Sequence, residues 1–232
     1  MTRTGFVTGL GVEARALRVG ARARGDDAVP EIVVAGGSAL RAEDGVRAMA
    51  ARGVEAFLSF GMAGALAPGL APGDILLPRR VCGPDGALYP VDHAWRDDIG
   101  RSLSRLAGRV ADAPLAGRDE AVTTAAAKAA LRRETDAIAV DMESHGVARA
   151  AAALGCPFAV LRVVADRADQ SVPAAALAGM GPDGETRPLA VMLALLRRPG
   201  SLPALLALAG AARTAMTVLR GAAARPILLV RS

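Results

Sequence analysis

Residues 139–169, AVDMESHGVARAAAALGCPFAVLRVVADRAD, predict two strands joined by a helix, with an acid after each strand. Glu143 follows the short apolar run Ile138–Val140 and opens an Ala-rich helical stretch. Asp166 follows a second run, Phe158–Val164, which is rich in β-branched residues. Ligands of open α/β sheets collect at the carboxyl ends of the strands. We therefore expect both acids at that edge, where they would hold hydroxyl groups or transfer a proton.

The rest of the chain repeats this alternation of strands and helices, which predicts an α/β fold. Further strands are expected at Gly5–Thr8, Ile32–Ala35, Ala56–Ser59 and Ile75–Leu77, and further helices at Glu13–Val19, Ala42–Arg52, Trp95–Leu106 and Thr124–Glu134. We predict a single domain with a central, mostly parallel or mixed twisted sheet flanked by helices. Residues 1–180 would be catalytic. Residues 181–232 would be a helical extension, Arg187–Arg198 and Leu202–Arg220, packed on the domain or facing a membrane.

Composition excludes several classes of protein. The chain has 232 residues, two cysteines and two histidines, with no metal-binding spacing, so we expect a reduced cytoplasmic protein without a metal site. The N-terminus lacks the apolar core of a signal peptide, and no apolar run of 18 residues is free of Arg, Gly or Pro. The net charge of +5 belongs to the C-terminal tail, and the six aromatic residues make nucleic-acid binding a poor interpretation.

Glycine-rich turns follow the first three predicted strands. Gly9–Ala14 fits the dinucleotide pattern GxGxxA, but the second strand ends without the acid that binds a ribose, which disfavours that interpretation. Glu13 in this stretch either orients a water or a ribose hydroxyl, or only stabilises the first turn of a helix. The turns Gly36–Ser38 and Gly61–Gly64 expose backbone N–H groups that could bind an anion or a sugar.

Three segments together resemble the superfamily of purine nucleoside phosphorylases and methylthioadenosine/S-adenosylhomocysteine nucleosidases. They are FGMAGALAPGLAPGDILLP (60–78), the opening stretch at 139–169, and LGVEARAL (10–17), which is similar to the start of the nucleosidase branch. The resemblance covers about residues 5–170. It implies an α/β domain, a dimer or higher oligomer, and an enzyme that cleaves the N-glycosidic bond of a purine nucleoside.

The resemblance also implies roles for individual residues. Asp166 would protonate the purine, and Glu13 would position an attacking water. Arg162 would be an ion-pair partner near Glu13. The residues expected to hold the ribose or face the nucleophile are Met142, Glu143, Gly61, Met62 and Ala63.

Some positions depart from the family pattern. Ala165 stands where the family has a serine that orients the catalytic acid, and the stretch near Val122 offers no aromatic residue to the purine. Phosphate, the alternative nucleophile, would be held by Gly37, Ser38 and Arg162 without the usual clamp. No metal or organic cofactor is implied, although phosphate would be a co-substrate in phosphorolysis.

The C-terminal segment is similar to that of hopanoid-associated phosphorylases, which implies the lipid-linked nucleoside adenosylhopane as substrate and release of adenine in hopanoid biosynthesis. Apolar helices flanked by arginines in this segment are typical of contact with a membrane surface, although they could instead complete the core or a dimer interface. Two alternatives stay open. One is a soluble nucleosidase for methylthioadenosine, S-adenosylhomocysteine or futalosine, and the other is a non-catalytic, membrane-associated nucleoside-binding protein.

Overall fold

The computed structural model describes residues 3–25, 29–103, 110–111, 113–173, 176, 184–185, 200 and 202–225. These residues form a single mixed sheet covered by helices on both faces, as predicted. The strands are β1 (Thr4–Thr8), β2 (Glu31–Val34), β3 (Ala56–Ala65), β4 (Ile75–Leu76), β5 (Arg80–Cys82), β6 (Leu88–Pro90), β7 (Val110–Ala111), β8 (Leu115–Gly117), β9 (Ala139–Asp141) and β10 (Phe158–Asp166). The helices are α1 (Gly11–Arg24), α2 (Ala39–Ala50), α3 (His93–Leu103), α4 (Ala125–Thr135), α5 (Ser144–Leu154) and α6 (Leu202–Ala223).

The strand order is β6-β5-β8-β9-β3-β10-β4-β7, and β1 pairs with both β2 and β3. The pairs β1–β2, β1–β3 and β3–β10 are parallel. By contrast, β9 runs antiparallel to β3, and β4 runs antiparallel to β10. The carboxyl ends of β1, β2 and β10 consequently lie at one edge of the sheet, while β9 enters from the opposite direction.

β3 is a ten-residue strand whose two halves have different neighbours along one side. Its first part, Ala56–Ser59, pairs with β1, and its last two residues, Gly64 and Ala65, pair with β9. Residues 60–63 between them pair with β10 on the other side but with neither β1 nor β9. This gap leaves backbone polar groups for side chains or a ligand to bind, and the polar site described below forms there.

Two apolar clusters, one on each face of the sheet, hold these strands in place. On β10, Val160 and Val164 pack toward α2 and α5, whereas Leu161 and Val163 pack toward α1, α3 and α6. Burial of each such side chain contributes about 1.5–3 kcal/mol. The strands that carry the polar groups are therefore fixed by apolar packing on both faces.

α6 has a buried half and an exposed half. Its C-terminal half packs on β10 and α1, and a Cβ atom at Gly20 of α1 would lie 2.2 Å from the carbonyl oxygen of Ala223. Residues 202–214 contain no buried side chain, and Leu206 is 65% exposed. By length and composition α6 could cross a membrane, with a mean hydropathy of 1.6 over a window that is 17% buried.

The predicted elements agree with the described ones apart from their ends. The helix Ser144–Leu154 has its predicted bounds, and α1 extends its predicted segment at both ends. The short strands β5, β6, β7 and β8 were not predicted, because two or three residues carry no readable periodicity. The predicted helix Arg187–Arg198 lies outside the described residues.

Candidate active site

Arg162, in the middle of β10, is the centre of a buried polar cluster in the gap beside β3. Its side chain is fully buried, and its Nε donates to Oδ2 of Asp141 over 2.6 Å. Its Nη2 donates to Ser59 Oγ (2.8 Å), Ser144 Oγ (3.2 Å) and, at 3.4 Å, Glu143 Oε2. Nη1 has no hydrogen-bond partner among the described residues. A buried guanidinium is costly unless it is paired, so the surrounding acids are required by the fold as well as available for chemistry.

Asp141 is the strongest partner of Arg162. It is the last residue of β9, and its Oδ1 accepts the backbone N–H of Ser144 over 3.1 Å at the start of α5. The Ser144 hydroxyl also donates to Oδ2 of the same carboxylate. Sequence analysis expected Arg162 to pair near Glu13, but in the structure its ion pairs are with Asp141 and Glu143.

Glu143 is buried where the turns after β1 and β2 converge. Its Oε1 accepts the N–H of Gly37 over 3.0 Å, and a Cβ atom at Gly9 would lie 2.5 Å from the same oxygen. Burial raises the pKa of Glu143 to about 7, with Arg162 opposing the shift and the neighbouring acids adding to it. The charged form of Glu143 is therefore costly in this position, and Arg162 offsets part of that cost.

Glu13, in the first turn of α1, fills the gap along β3. Its Oε2 accepts the N–H groups of Gly9 and Leu10, both over 2.9 Å, and its Oε1 accepts the N–H of Met62 over 2.8 Å. The first two bonds are those of an N-terminal helix cap, but the third joins the helix to the unpaired edge of β3. Burial raises the pKa of Glu13, against the opposing effects of Arg162 and the three N–H donors.

Gly61 lies between Glu13 and Arg162. A Cβ atom there would lie 2.4 Å from Arg162 Nη1 and 2.7 Å from Glu13 Oε2, so only glycine fits. The cluster thus places three carboxylates, those of Glu13, Asp141 and Glu143, around one guanidinium. When all three are ionised the cluster has excess negative charge, which favours a ligand that donates hydrogen bonds or develops positive charge.

Asp166 lies at the end of β10 in a second polar group. The strand has a register shift between Val164 and Asp166, so that Asp166 pairs with Gly64, and a Cβ atom at Gly64 would lie 3.2 Å from Asp166 Oδ1. Such a bulge redirects a side chain. Lys128 of α4 donates to Oδ2 of Asp166. Burial raises the pKa of Asp166, and Lys128 partly opposes the shift.

The remaining predicted residues have structural contacts of their own. Met142 packs over Gly37, where a Cβ atom would lie 3.3 Å from its Cε. Ser38 caps α2, since its Oγ accepts the N–H of Arg41 over 3.3 Å. Val122 is half-buried against the cluster that contains Leu66, Ala116, Leu131, Ala137 and Val140. Ala63 is buried in β3 opposite Val164.

The structure therefore brings together Glu13, Glu143, Arg162, Gly61, Met62 and Gly37, and places Asp166 in a separate group. Gly61 and Gly64, which face the two groups, lie about 10 Å apart along β3. Sequence analysis missed Asp141, Ser59 and Ser144 as partners of Arg162, and it missed Lys128. Their only sequence signals were position and residue type, since Asp141 directly precedes Met142 and Glu143, and Lys128 is the one lysine of the sequence.

His145, the remaining titratable side chain near the start of α5, is fully buried against Gly117. Its Nε2 lies 3.1 Å from Asp119 Oδ1, and its Nδ1 has no hydrogen-bond partner among the described residues. No group of three or more His, Cys, Asp and Glu side chains in the described part of the chain could hold a metal ion.

Solved structures with the same fold include several nucleosidases. A methylthioadenosine/S-adenosylhomocysteine nucleosidase from Streptococcus pneumoniae with a transition-state inhibitor is 19% identical, with a TM-score of 0.68 and coverage of 95% of this chain and 98% of that one. A point mutant of the corresponding Helicobacter pylori enzyme, with 5′-methylthioadenosine in its active site, is 17% identical, with a TM-score of 0.68 and coverage of 96% and 98%. A mutant futalosine hydrolase from Helicobacter pylori is 20% identical, with a TM-score of 0.62 and coverage of 71% and 89%.

At these identities the likeness shows the fold alone. No curated protein matches the chain. The family model described as "Phosphorylase superfamily" matches residues 32–197, which include β3, the Arg162 cluster except Glu13, and the Asp166–Lys128 pair. Because that match spans well over half of the sequence, the chain belongs to the phosphorylase superfamily.

Proposed function

We propose that this protein hydrolyses the N-glycosidic bond of a purine nucleoside. The observation that carries the proposal is the arrangement of three buried carboxylates around Arg162, with a further buried acid, Asp166, at the end of the same strand. Cleavage of this bond leaves positive charge on the sugar and negative charge on the base. An acidic cluster favours the first, and a proton donor neutralises the second.

In the proposed reaction Glu143 accepts hydrogen bonds from the ribose hydroxyls, and its charge stabilises the cationic sugar. Asp166 gives its proton to a ring nitrogen of the purine as the bond between C1′ and the base breaks, and the bonding electrons leave with the base. A water molecule attacks C1′ and passes its proton to Glu13. The sum is a free base, a free sugar and an enzyme in which one proton has moved from Asp166 to Glu13. Loss of that proton from Glu13 to solvent and uptake of one by Asp166 restore the starting state.

Water suits the site better than phosphate as the nucleophile. The groups that could bind phosphate are already engaged, because the N–H of Gly37 donates to Glu143 and Ser38 caps α2. Arg162 is fully buried, and a Cβ atom at Gly61 would contact both its unpartnered Nη1 and Glu13. A phosphate dianion would therefore meet more carboxylates than donors. Phosphorolysis is the alternative.

For the substrate we propose adenosine with an apolar 5′ group, specifically adenosylhopane. Support comes from the resemblance of the C-terminal segment to hopanoid-associated phosphorylases and from the exposed apolar half of α6. The soluble alternative is a nucleosidase for methylthioadenosine, S-adenosylhomocysteine or futalosine. The Helicobacter pylori neighbour, which binds 5′-methylthioadenosine, favours that alternative.

A lipid-linked substrate requires contact with a membrane, and one surface suits this role. We call it the α1–α6 surface: residues 202–214 of α6 together with the exposed side chains Arg15, Arg18 and Arg22 of α1. α6 has no acidic residue, and Glu13, the single acid of α1, is buried. An exposed apolar helix segment and exposed arginines, with no exposed acid on either helix, match the anionic inner face of a cytoplasmic membrane. The rival use of this surface is contact between subunits, since we expect a homo-oligomer.

Base release from a panel of nucleosides tests the proposal. We expect adenine from adenosylhopane in vesicles at a rate at least about tenfold above that from methylthioadenosine, S-adenosylhomocysteine or futalosine. Faster cleavage of a soluble nucleoside would favour the soluble alternative. If none of these nucleosides is cleaved, the remaining interpretation is a non-catalytic, membrane-associated nucleoside-binding protein.

Vesicle sedimentation tests the membrane role of the α1–α6 surface. Leu206→Glu places a charge on the exposed half of α6, and we expect it to weaken binding to anionic vesicles several-fold while leaving cleavage of soluble nucleosides unchanged. Leu88→Glu, at a leucine that is 59% exposed on β6, is the matched control. Equal vesicle binding by the two variants would contradict membrane contact.

A further inference from the structure

Lys128 is the one lysine among the 28 basic residues of this chain; all the others are arginines. It lies on α4 and is fully buried, whereas Arg133 on the same helix is exposed. Lysine is almost never fully buried unless its charge is paired. A chain that uses arginine everywhere else has therefore retained an ammonium group where no solvent reaches it.

The ammonium group has a complete set of partners. Its Nζ donates to Asp166 Oδ2, to the carbonyl oxygen of Arg167 over 2.7 Å and to that of Gln170 over 2.9 Å. These three acceptors use all three N–H bonds of the lysine. A planar guanidinium with five donors would leave two of them without partners in the same space. The chemistry of this position therefore explains why it holds lysine.

The two oxygens of Asp166 are left in different states. Both oxygens lie beside Gly64, but only Oδ2 accepts a hydrogen bond from the ammonium, and Oδ1 makes no hydrogen bond with the described residues. The Asp166 side chain is 13% exposed and that of Lys128 is 1% exposed, so the open side of the pair belongs to the carboxyl group. A proton added to Asp166 is repelled from the oxygen beside the ammonium and resides on Oδ1.

We propose that Lys128 is a positioning residue that fixes the Asp166 carboxyl and directs its proton to Oδ1, the oxygen that meets the leaving base. The inference rests on the proposed function, in which Asp166 is the acid. Lys128 then does the work of the serine that the family resemblance expects at Ala165. It also ties the end of β10 to the following residues, 167–170, through the two carbonyl oxygens.

The charges around Asp166 predict how its pKa changes when Lys128 is replaced. Lys128 from α4 is the charged group in contact with it, β3 contributes only Gly64, and Arg167 and Asp169 pair with each other in solvent. Burial raises the pKa of Asp166 and Lys128 lowers it. Removal of the lysine charge therefore raises the pKa further, by about 1–3 units for the loss of an adjacent opposite charge.

Nitrogen NMR of the protein labelled with [ζ-¹⁵N]lysine tests the pair without any substrate. Because the chain has one lysine, a single Nζ signal is expected, with slow exchange of its protons. Its chemical shift should follow a titration that disappears in Asp166→Asn. An exchange rate typical of a solvated lysine, or the same titration in Asp166→Asn, would overturn the inference.

Base-release kinetics test the functional consequence. Lys128→Gln keeps two N–H donors but removes the charge, and Lys128→Met removes both. We expect kcat to fall about tenfold or more in each variant, KM to change little, and the basic limb of the pH profile to move about 1–3 units upward. Arg133→Met, which removes an exposed cation from α4, should change neither quantity.

The outcomes separate the two proposals. An inactive wild-type protein would refute the proposed function, and the NMR experiment would still decide whether Lys128 and Asp166 form the pair. An active wild type with unchanged kcat and pH profile in a folded Lys128→Gln or Lys128→Met variant would refute the role of Lys128 alone. Thermal unfolding of each variant establishes that it is folded.

Discussion

Arg162 and Lys128, which are fully buried, bind carboxylates in different ways. Arg162 contacts two acids and two hydroxyls with its planar fork and lies beside a third acid, whereas Lys128 contacts one acid and two carbonyl oxygens. Arginine can serve several acceptors in one plane, and lysine is a compact charge with three donors. Each residue type therefore matches the number of acids that surround it.

Because of this difference, we expect the Arg162 cluster and the Asp166–Lys128 pair to have different chemical roles. One guanidinium among three carboxylates leaves excess negative charge, which suits hydroxyl binding and a cationic sugar. One ammonium beside one carboxyl group leaves one carboxyl oxygen free to carry a proton, which suits its delivery to the base. β3 connects the groups, because Gly61 faces the first and Gly64 faces the second.

The largest expected effect on activity comes from removing the proton donor, Asp166, of the Asp166–Lys128 pair. Asp166→Asn keeps the shape of the side chain but cannot donate an acidic proton, so we expect base release to fall about 10²–10⁴-fold. Asp169→Asn, an exposed acid three residues later, is the control and should retain activity. Turnover near that of the wild type in Asp166→Asn would remove the functional distinction between the groups.

Replacement of arginine by lysine at position 162 tests the Arg162 cluster. Arg162→Lys keeps the charge but leaves several buried acceptors without donors, so we expect the free energy of unfolding to fall by about 2–4 kcal/mol. Arg149→Lys, at a partly exposed pair with Glu43, should cost less than about 1 kcal/mol. Denaturant unfolding measures both, and equal losses would mean that the fork geometry of Arg162 is unimportant.

The two glycines of β3 should differ in their tolerance of a methyl group. Gly61→Ala forces a Cβ atom within 2.4 Å of Arg162 Nη1, so we expect a loss of about 1–3 kcal/mol and of most activity. At Gly64 the nearest atom would be 3.2 Å away, and we expect Gly64→Ala to cost less than about 1 kcal/mol. Greater destabilisation by Gly64→Ala would contradict the described packing.

The smallest effect concerns the pH dependence of stability. The pKa of Glu143 is raised to about 7 in the folded protein from an ordinary value of 4.5, so the folded state binds the proton more tightly. The contribution of this group is fully present below pH 4.5 and is lost as the pH rises through 7. We therefore expect wild type to lose stability over this range relative to Glu143→Gln, whose side chain does not titrate. If the free energies of unfolding of wild type and Glu143→Gln change with pH in parallel, the pKa of Glu143 is not raised in the folded protein.

Sequence reasoning placed Glu143 after one strand and Asp166 at the end of another because each acid follows an apolar run. It did not predict that β9 runs antiparallel to β3, since strand direction depends on pairing between distant segments. The gap in β3 that admits Glu13 follows from that direction. Glu13 itself was predicted from its place in the first turn of a helix and from the resemblance of residues 10–17 to the nucleosidase branch.

The partners of the acids were harder to predict than the acids. Lys128 lies 38 residues before Asp166, on a helix whose other face is solvated, and no local pattern distinguishes it from a surface lysine. The bulge at the end of β10 is also invisible in the sequence, because Ala165 continues the apolar run. Contacts between separate elements decide such features, and local propensity does not.

The identity of the sugar product formed in the presence of inorganic phosphate tests the central claim most directly. The acidic Arg162 cluster should admit water and exclude phosphate, so mass spectrometry should find a free sugar, with the rate of base release unchanged by phosphate. A sugar 1-phosphate, together with base release that requires phosphate, would contradict the account.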